Sequence, residues 1–253
     1  MSSYKELKIN QLLQEIHPDT IILASWLHAK GYSYELQRKY KESGWLESVG
    51  TAALKRRGDE VDLFGAVYAL QKQAGKNIHI GGPSSLVLQG FAHYIKMNEK
   101  AVFLFSDIGF KIPSWLKNSS WKDKPVIIKR NFLPENLGLM DFQVKTFSIK
   151  ISNPARAIME CLERTPDHFD LDETYRMMEN LSTLKPADVQ MLLEHCTSVK
   201  VKRLFLYLAD KAGHGWVKYL KPDRINLGKG KRMIVKSGVY VPKYQITVPQ
   251  SLI

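Results

Sequence analysis

Apolar residues recur at helical spacing in the first part of the chain and predict three successive helices. Thr20 and Ser33 are suited to cap the second and third helices, because their hydroxyl oxygens can accept backbone N–H groups of a first turn. Pro18 ends the first helix and Gly31 ends the second. The predicted helices span residues 5–15, 21–29 and 34–43.

A short turn that contains glycine separates the second and third predicted helices, which is the spacing of a helix-turn-helix. Residues 45–55 follow, and Gly50 and Thr51 lie in their middle, which predicts a short β-hairpin. Asp62 is suited to cap a fourth helix over residues 63–73. We therefore predict a winged helix-turn-helix domain over residues 1–75, with the hairpin as its wing.

The remaining residues, 76–253, alternate between strand-like and helix-like segments and predict a larger mixed α+β domain. The fold class is therefore α+β. Predicted strands lie at residues 78–80, 101–106, 126–130, 145–151, 232–235 and 244–248. Predicted helices begin at the Gly81-Gly82-Pro83 segment and cover residues 154–164, 171–181, 186–196 and 199–212.

The third helix carries the first candidate site. Leu36 and Tyr40 are four residues apart and are expected to face the core, which leaves Gln37, Arg38 and Lys41 exposed. Glutamine and arginine side chains can contact base edges in the major groove, and lysine contacts phosphates. The alternative is a small helical bundle without DNA contacts. The candidate DNA-binding residues are Ser33, Tyr34, Gln37, Arg38, Lys41, Lys55, Arg56 and Arg57.

Charge is concentrated at the other end of the chain. Residues 200–253 hold 12 Lys or Arg and two acidic residues, a net +10, whereas the whole chain is +12. Such a segment attracts polyanions, and its interleaved apolar residues indicate that it folds; the alternative is a merely solvated basic face. We expect its cations to form one surface patch that serves antitoxicity or polyanion binding. The candidates are Lys200, Lys202, Arg203, Lys229, Lys231, Arg232 and Lys243.

The signals for catalysis are weak. Asp141, Gln143 and Lys145 have a faint likeness to a nuclease core, but no second carboxylate stands at a suitable spacing to hold a metal ion. Arg156 and Glu160, four residues apart, are expected to form a structural pair along one helix. Residues 227–232 form a basic glycine-containing turn that could present N–H groups to a phosphate, and a plain hairpin turn is the alternative.

Two cysteines, Cys161 and Cys196, cannot build a disulfide framework or a metal site of the usual spacing, which favours a cytoplasmic location. The N-terminus lacks the apolar region of a signal peptide, and the longest apolar runs are too short to cross a bilayer. We expect no cofactor, no metal and no membrane partner.

Several segments, in their order and spacing, resemble the AbiEi-type antitoxins of bacterial abortive-infection systems. They are Gly44–Leu46, Ile78–Leu86 with Gly90 and His93–Tyr94, Ser152–Ala157 with Glu160, Ser198–Leu204, Gly213–His214 with Trp216, Leu227–Arg232, and Lys243–Thr247. One departure is that Thr51–Leu54 stands where wings of this family often carry a glycine–aromatic pair.

The resemblance implies a winged helix that represses its own operon through inverted repeats of operator DNA. It also implies a C-terminal domain that counteracts a nucleotidyltransferase toxin without a stable complex, and a chain without catalytic activity. The first alternative is a metal-dependent nuclease that its N-terminal domain targets to nucleic acid. The second is an RNA-binding or ribosomal accessory protein that uses the basic C-terminal face.

Overall fold

A computed structural model of the chain describes residues 2–91, 101–118 and 120–253. The resembling pair His93–Tyr94 lies outside these residues. The described helices are α1 (Ser2–Glu15), α2 (Ala24–Ala29), α3 (Tyr34–Glu42), α4 (Leu63–Tyr68, continued as a π-helix over Ala69–Gln73), α5 (Gly82–Leu88), α6 (Ser114–Asn118), α7 (Pro154–Arg164), α8 (Leu171–Glu179), α9 (Pro186–His195) and α10 (Val199–Lys211).

The described strands are β1 (Ile22–Leu23), β2 (Leu46–Gly50), β3 (Ala53–Arg56), β4 (Ile78–Ile80), β5 (Ala101–Ser106), β6 (Lys124–Lys129), β7 (Leu139–Val144), β8 (Phe147–Ser152), β9 (Arg232–Met233), β10 (Val239–Val241) and β11 (Ile246–Val248). Short 3₁₀ helices cover Val217–Tyr219, Pro222–Arg224 and Gln250–Leu252. The α+β class predicted from the sequence is confirmed.

The N-terminal segment has the element order of a winged helix: α1, β1, α2, α3, then the hairpin β2–β3. Its sheet has the order β1-β3-β2, with both pairings antiparallel. One apolar cluster joins the helices to the hairpin because the buried sides of these elements face each other. Its buried members include Leu12, Leu27, Tyr40, Leu46 and Leu54.

The predicted start of the second helix is wrong. Ile22 and Leu23 form a strand that pairs with β3, and α2 begins only at Ala24. Gln73 satisfies the other edge of this strand, because its side-chain amide accepts from the Leu23 N–H and donates to the Ile21 carbonyl, each at 2.8 Å. Three apolar residues in succession fit a strand or a helix equally well, and this long-range pairing decides between them.

The described residues divide into two compact units: the described parts of 1–79, 99–129 and 141–150, and those of 80–98, 130–140 and 151–253. A five-stranded sheet, mostly of first-unit residues, has the order β6-β5-β4-β8-β7. Strands β5 and β6 are parallel, as are β4 and β8. The sequence analysis did not predict β7, an edge strand in which no residue is buried.

The second unit is built around α7 and α10, which pack against each other and against α8. Every residue from Val201 to Ala209 is buried, so α10 is surrounded for most of its length. Its N-cap is Ser198, whose hydroxyl accepts from the Val201 N–H at 3.4 Å. A small sheet of order β10-β11-β9 completes the unit.

Candidate nucleic-acid interface

Helix α3 begins as the sequence predicts. Ser33 is its N-cap, and its hydroxyl oxygen accepts a hydrogen bond from the Leu36 N–H at 3.2 Å. Tyr34, in the first turn, is 58% exposed and stacks on His28 with ring centroids 4.7 Å apart. The start of α3 therefore presents an aromatic side chain and a capped N-terminus to solvent.

The charged side chains on the exposed face of α3 differ in whether they form ion pairs. Lys39 and Glu35 form an ion pair at 2.6 Å, and Arg38 and Glu42 lie 3.6 Å apart. Lys41 is exposed and has no ion-pair or hydrogen-bond partner among the described residues. Exposed ion pairs of this kind contribute little stability, so Arg38 can leave Glu42 to bind a polyanion at small cost. Lys41 can bind a polyanion without breaking an ion pair.

The prediction that Gln37 faces solvent is wrong. Gln37 is 3% exposed, and its side-chain N–H₂ donates to the carbonyls of Ala24 (3.0 Å) and Tyr32 (2.8 Å). These bonds tie α3 to α2 and to the turn between them. Gln37 lies three residues before the buried Tyr40, so both share the inner side of the helix.

The wing places its basic residues at the end of β3. Lys55 lies opposite Glu47 in the hairpin, with its Nζ 3.3 Å from the carboxylate, and Arg57 Nε lies 4.0 Å from the same group. Lys55 and Arg56 are partly buried, and Arg57 is exposed. Arg57 is thus the most accessible of the three predicted wing contacts.

The end of β2 is covered, whereas the turn residues Thr51 and Ala52 are exposed. A Cβ added to Gly50 would lie 2.8 Å from the Cβ of Trp115, so β2 packs against α6 with no room for a side chain. Trp115 is itself buried, at 4% exposure. The hairpin is therefore held at Gly50 and accessible at its turn and at its exit, Arg57.

The predicted C-terminal surface patch is wrong for the residues that α10 supplies. Lys202 and Arg203 are 4% and 2% exposed. Lys200 is half-buried, and its Nζ donates to the carbonyls of Glu163 (2.6 Å) and Thr165 (3.0 Å). Burial lowers the pKa of Lys200. These cations act inside the fold, because α10 is enclosed on all sides.

Among the predicted patch residues, Arg203 has the most hydrogen-bond partners. Its guanidinium donates to the carbonyls of Leu227 (2.8 Å), Gly228 (3.2 Å), Gly230 (2.6 Å) and Gln245 (3.1 Å). A planar group with five donors can hold several carbonyls at once, which a lysine cannot do. Arg203 therefore fixes the shape of the glycine-containing loop that precedes β9.

The loop itself is exposed and basic. Lys229, Lys231 and Arg232 stand in solvent, and the Nζ of Lys231 lies 4.9 Å from the centre of the Tyr240 ring. We name residues Leu227–Arg232 the basic loop. Lys243 is also exposed, but its Nζ is paired with Asp210 at 2.6 Å. Of the predicted patch, the basic loop and the paired Lys243 remain at the surface.

Arg156 and Glu160 form the predicted pair, at 2.9 Å, and both are buried. Arg156 Nη1 also donates to the carbonyls of Pro134 (2.8 Å) and Leu137, and Glu160 accepts from the Gly82 N–H and the Ser152 hydroxyl, each at 2.8 Å. The pair thus joins α7 to the start of α5, to the end of β8 and to the loop before β7.

The nuclease-like residues have other partners. Asp141 is hydrogen-bonded to Lys150 at 2.8 Å, which holds the pKa of its carboxyl below the usual range. Lys145 is paired with Asp19 at 2.6 Å, and Gln143 donates to the Lys145 carbonyl. Within residues 2–91, 101–118 and 120–253, no three His, Cys, Asp or Glu side chains gather as a metal-binding group.

The two thiols are buried. Cys196 is 3% exposed, and burial raises the pKa of its thiol to about 11. Burial also raises the pKa of Cys161. The neighbouring His195 directs its Nδ1 at the Met191 carbonyl, 2.9 Å away. Burial therefore disfavours the thiolate form of both cysteines, which is the reactive form.

Two family models together match nearly the whole chain. Residues 5–97 match the N-terminal domain of AbiEi antitoxin transcriptional regulators. Residues 99–249 match the transcriptional regulator and AbiEi antitoxin of a type IV toxin–antitoxin system. The chain belongs to the AbiEi antitoxin family. The resemblance predicted from the sequence is thereby confirmed, and this AbiEi antitoxin is a transcriptional regulator of a type IV toxin–antitoxin system.

The fold of this AbiEi antitoxin has a counterpart among solved structures. The crystal structure of the RV2827C protein from Mycobacterium tuberculosis matches it with a TM-score of 0.58 and 13% identity, over 96% of this chain and 90% of the other. At that identity the similarity concerns the fold alone. No curated protein sequence matches this AbiEi antitoxin significantly. None of the helices in the described ranges is long and apolar enough to cross a membrane.

Several residues that carry the family resemblance have structural partners in this AbiEi antitoxin. His214 Nε2 lies 2.7 Å from the Met178 carbonyl, and Trp216 Nε1 donates to the Leu181 carbonyl at 2.9 Å. These bonds hold His214 and Trp216 against the end of α8 and against the residue that follows its C-cap. The sequence did not single out Tyr240, which the structure places beside the basic loop.

Proposed function

We propose that this AbiEi antitoxin represses its own operon by binding operator DNA at inverted repeats, and that it counteracts a nucleotidyltransferase toxin. The observation that supports the DNA contact is the exposed face of α3, where Arg38 and the unpaired Lys41 project from a helix in the second position of a helix-turn-helix. In such motifs this helix enters the major groove. Arg57 at the exit of the wing is placed to add a backbone contact.

The proposal assigns operator binding to residues 1–75 and antitoxicity to residues 76–253. Repression and neutralisation are then separable, since no α3 residue is needed for the second activity. We expect both to take place in the cytoplasm, where the operon and the toxin are. We also expect antitoxicity without a stable toxin–antitoxin complex.

The first experiment tests α3. Gel-shift titrations would measure binding of the full chain to the DNA upstream of its operon, and of the variants Arg38→Ala, Lys41→Ala and Lys76→Ala. If Arg38 contacts a base, its loss should weaken specific binding by about 1–3 kcal/mol and relax the preference for the operator over unrelated DNA. Lys41→Ala should weaken binding to all DNA and reduce the salt dependence.

Lys76 is the matched control, because it is an exposed lysine outside α3 and the wing. Its loss should leave operator affinity unchanged. Equal affinities for the wild type and both α3 variants would remove α3 from the proposed interface. A second assay, growth rescue on co-expression with the toxin, should show that Arg38→Ala retains antitoxicity.

A further inference from the structure

We propose that the basic loop is a phosphate-binding site whose shape is set by Arg203. The proposal concerns a separate site from α3 and does not depend on operator recognition. The ligand is a phosphate group, carried either by a free nucleotide or by the backbone of a nucleic acid. The argument rests on the backbone direction of the loop, on its glycines and on the charge that surrounds it.

The backbone direction follows from the bonds of Arg203. The carbonyls of Gly228 and Gly230 point at the guanidinium, at 3.2 and 2.6 Å. In a trans peptide the next N–H points the opposite way, so the N–H groups of Lys229 and Lys231 are directed away from Arg203. Neither N–H has an acceptor in the part of the chain that the structure describes.

The glycines make this arrangement possible. Gly228 and Gly230 have φ values of 63° and 76°, in the left-handed region that other residues rarely adopt. A Cβ at Gly228 would also lie 2.9 Å from a methyl group of Val199, whereas Gly230 has open space around it. Left-handed residues that alternate with others turn successive N–H groups to one side and form an anion-binding concavity.

The charge of Arg203, beneath the basic loop, is not neutralised by a carboxylate among the described residues. The buried guanidinium of Arg203 has neutral carbonyls as partners, and among the described residues no carboxylate pairs with it. Burial and the nearby Arg232 lower its pKa. A buried cation without a counter-charge is costly, and an anion bound at the loop would offset that cost. Lys229, Lys231 and Arg232 would supply charge-assisted bonds to the same group.

A phosphate group matches these donors better than a carboxylate does. Its oxygens point in tetrahedral directions, with three non-bridging acceptors on a terminal phosphate and two on a phosphodiester, so it can accept from backbone N–H groups and side chains that lie in different directions. A carboxylate offers two oxygens in one plane. The loop therefore fits a terminal phosphate or a phosphodiester.

The proposal is tested on the full chain by ¹⁵N NMR titration with three probes: pyrophosphate, ATP, and a short single-stranded DNA without operator sequence. The N–H signals of Lys229 and Lys231 should shift and saturate with at least one probe. Lys229→Gln/Lys231→Gln should weaken that binding by about tenfold or more, because two charge-assisted bonds are lost. The matched control, Lys218→Gln/Lys221→Gln, removes two exposed lysines outside the loop and should bind like the wild type.

The role of Arg203 needs its own variants. Arg203→Lys keeps the charge but cannot hold four carbonyls, and should lose binding while Lys229 and Lys231 are intact. If that variant does not fold, the pair Gly230→Asn and Gly230→Val replaces it: asparagine tolerates a left-handed backbone and should bind, whereas valine should not.

The outcomes separate the sources of the phosphate. Saturation with pyrophosphate or ATP identifies a free nucleotide or terminal phosphate, and saturation with DNA alone identifies a backbone phosphate. Absence of shifts at Lys229 and Lys231 with all three probes would overturn the proposal. So would equal binding by the loop variant and its control. Loss of operator binding in an α3 variant would change none of these results.

Discussion

Helix α3 and helix α10 look alike in sequence, since each carries clustered Lys and Arg, yet their cations do different things. In α3, Arg38, Lys39 and Lys41 are exposed, and two of them pair with glutamates one turn away. In α10, Lys202 and Arg203 are buried, and Arg203 donates to backbone carbonyls. A run of basic residues therefore predicts a positive surface potential only where its helix has a face exposed to solvent.

The difference has a simple origin in packing. Helix α3 is buried on one stripe and leaves the other side to solvent, which is the usual state of an amphipathic helix. Helix α10 is buried from Val201 to Ala209. A cation on such a helix must find carbonyls or acids within the fold, because burying a charge without partners is costly.

The largest expected effect comes from a buried cation that has an acidic partner. Arg156→Met would leave Glu160, at 0% exposure, without its counter-charge and should cost about 3–5 kcal/mol of unfolding free energy. Chemical denaturation would measure it. The double variant Arg156→Met/Glu160→Leu should lose less than the two single changes together. A loss below about 1 kcal/mol for Arg156→Met would show that the pair is dispensable.

Arg203 is a buried cation that no carboxylate pairs with among the described residues, and its loss should have the next largest effect. Arg203→Met removes four hydrogen bonds from a charged donor, but water can reach the exposed loop, so we expect about 2–4 kcal/mol. Thermal and chemical unfolding would check this. The exposed Lys229→Gln should change stability by less than about 0.5 kcal/mol. Similar losses for both variants would contradict the assignment of Arg203 as the organising residue.

Gln37 and Arg38 are neighbours on α3 that should separate stability from DNA binding. Gln37→Leu removes two buried hydrogen bonds to backbone carbonyls and should cost about 1–3 kcal/mol of stability. Arg38→Ala should leave the melting temperature near that of the wild type and weaken operator binding. Unfolding and gel-shift data on the same two proteins would test the contrast, which fails if both variants lose stability equally.

The smallest expected effect is pH-dependent and concerns Asp19. A hydrogen bond from Lys145 holds the pKa of this carboxyl below its usual range. A lowered folded-state pKa contributes stability at pH values above the ordinary carboxyl pKa, and that contribution is lost as the pH falls through the lowered value. Asp19→Asn keeps the left-handed backbone at φ 58° and should melt below the wild type at neutral pH. The gap should close in strong acid; a gap that is constant with pH would exclude the ion pair as its cause.

Local signals in the sequence were sufficient for much of the fold. The Ser33 cap, the glycines around α3 and the hairpin at Gly50 each act within a few residues, and the structure confirms them. The π-helical end of α4 and the strand at Ile22 were not predicted, because both depend on partners distant in sequence. The three-residue strand β10 was also not predicted, although its partner β11 is close in sequence.

The candidate sites were predicted less well, for a physical reason. The buried side of α3 was inferred from Leu36 and Tyr40 alone. The structure buries Gln37 with Tyr40 and leaves Leu36 only partly buried. On α10 the six apolar residues from Leu204 to Ala209 indicated a central helix, which should have warned that Lys202 and Arg203 were enclosed. The basic loop, whose glycines act locally, was correctly predicted as an exposed turn.

The contact between Gly50 and Trp115 has a consequence for the entropy of the proposed DNA binding. Many recognition loops are mobile in the free protein, and their immobilisation opposes association. Here Gly50, the last residue of β2 before the turn, rests on α6 with no space for a side chain, so the position of the hairpin is fixed during folding. Binding then requires little further ordering of the hairpin. A bulkier residue at Gly50 would push the hairpin away from Trp115. The entropy cost of ordering the hairpin would then oppose DNA binding instead of being part of folding.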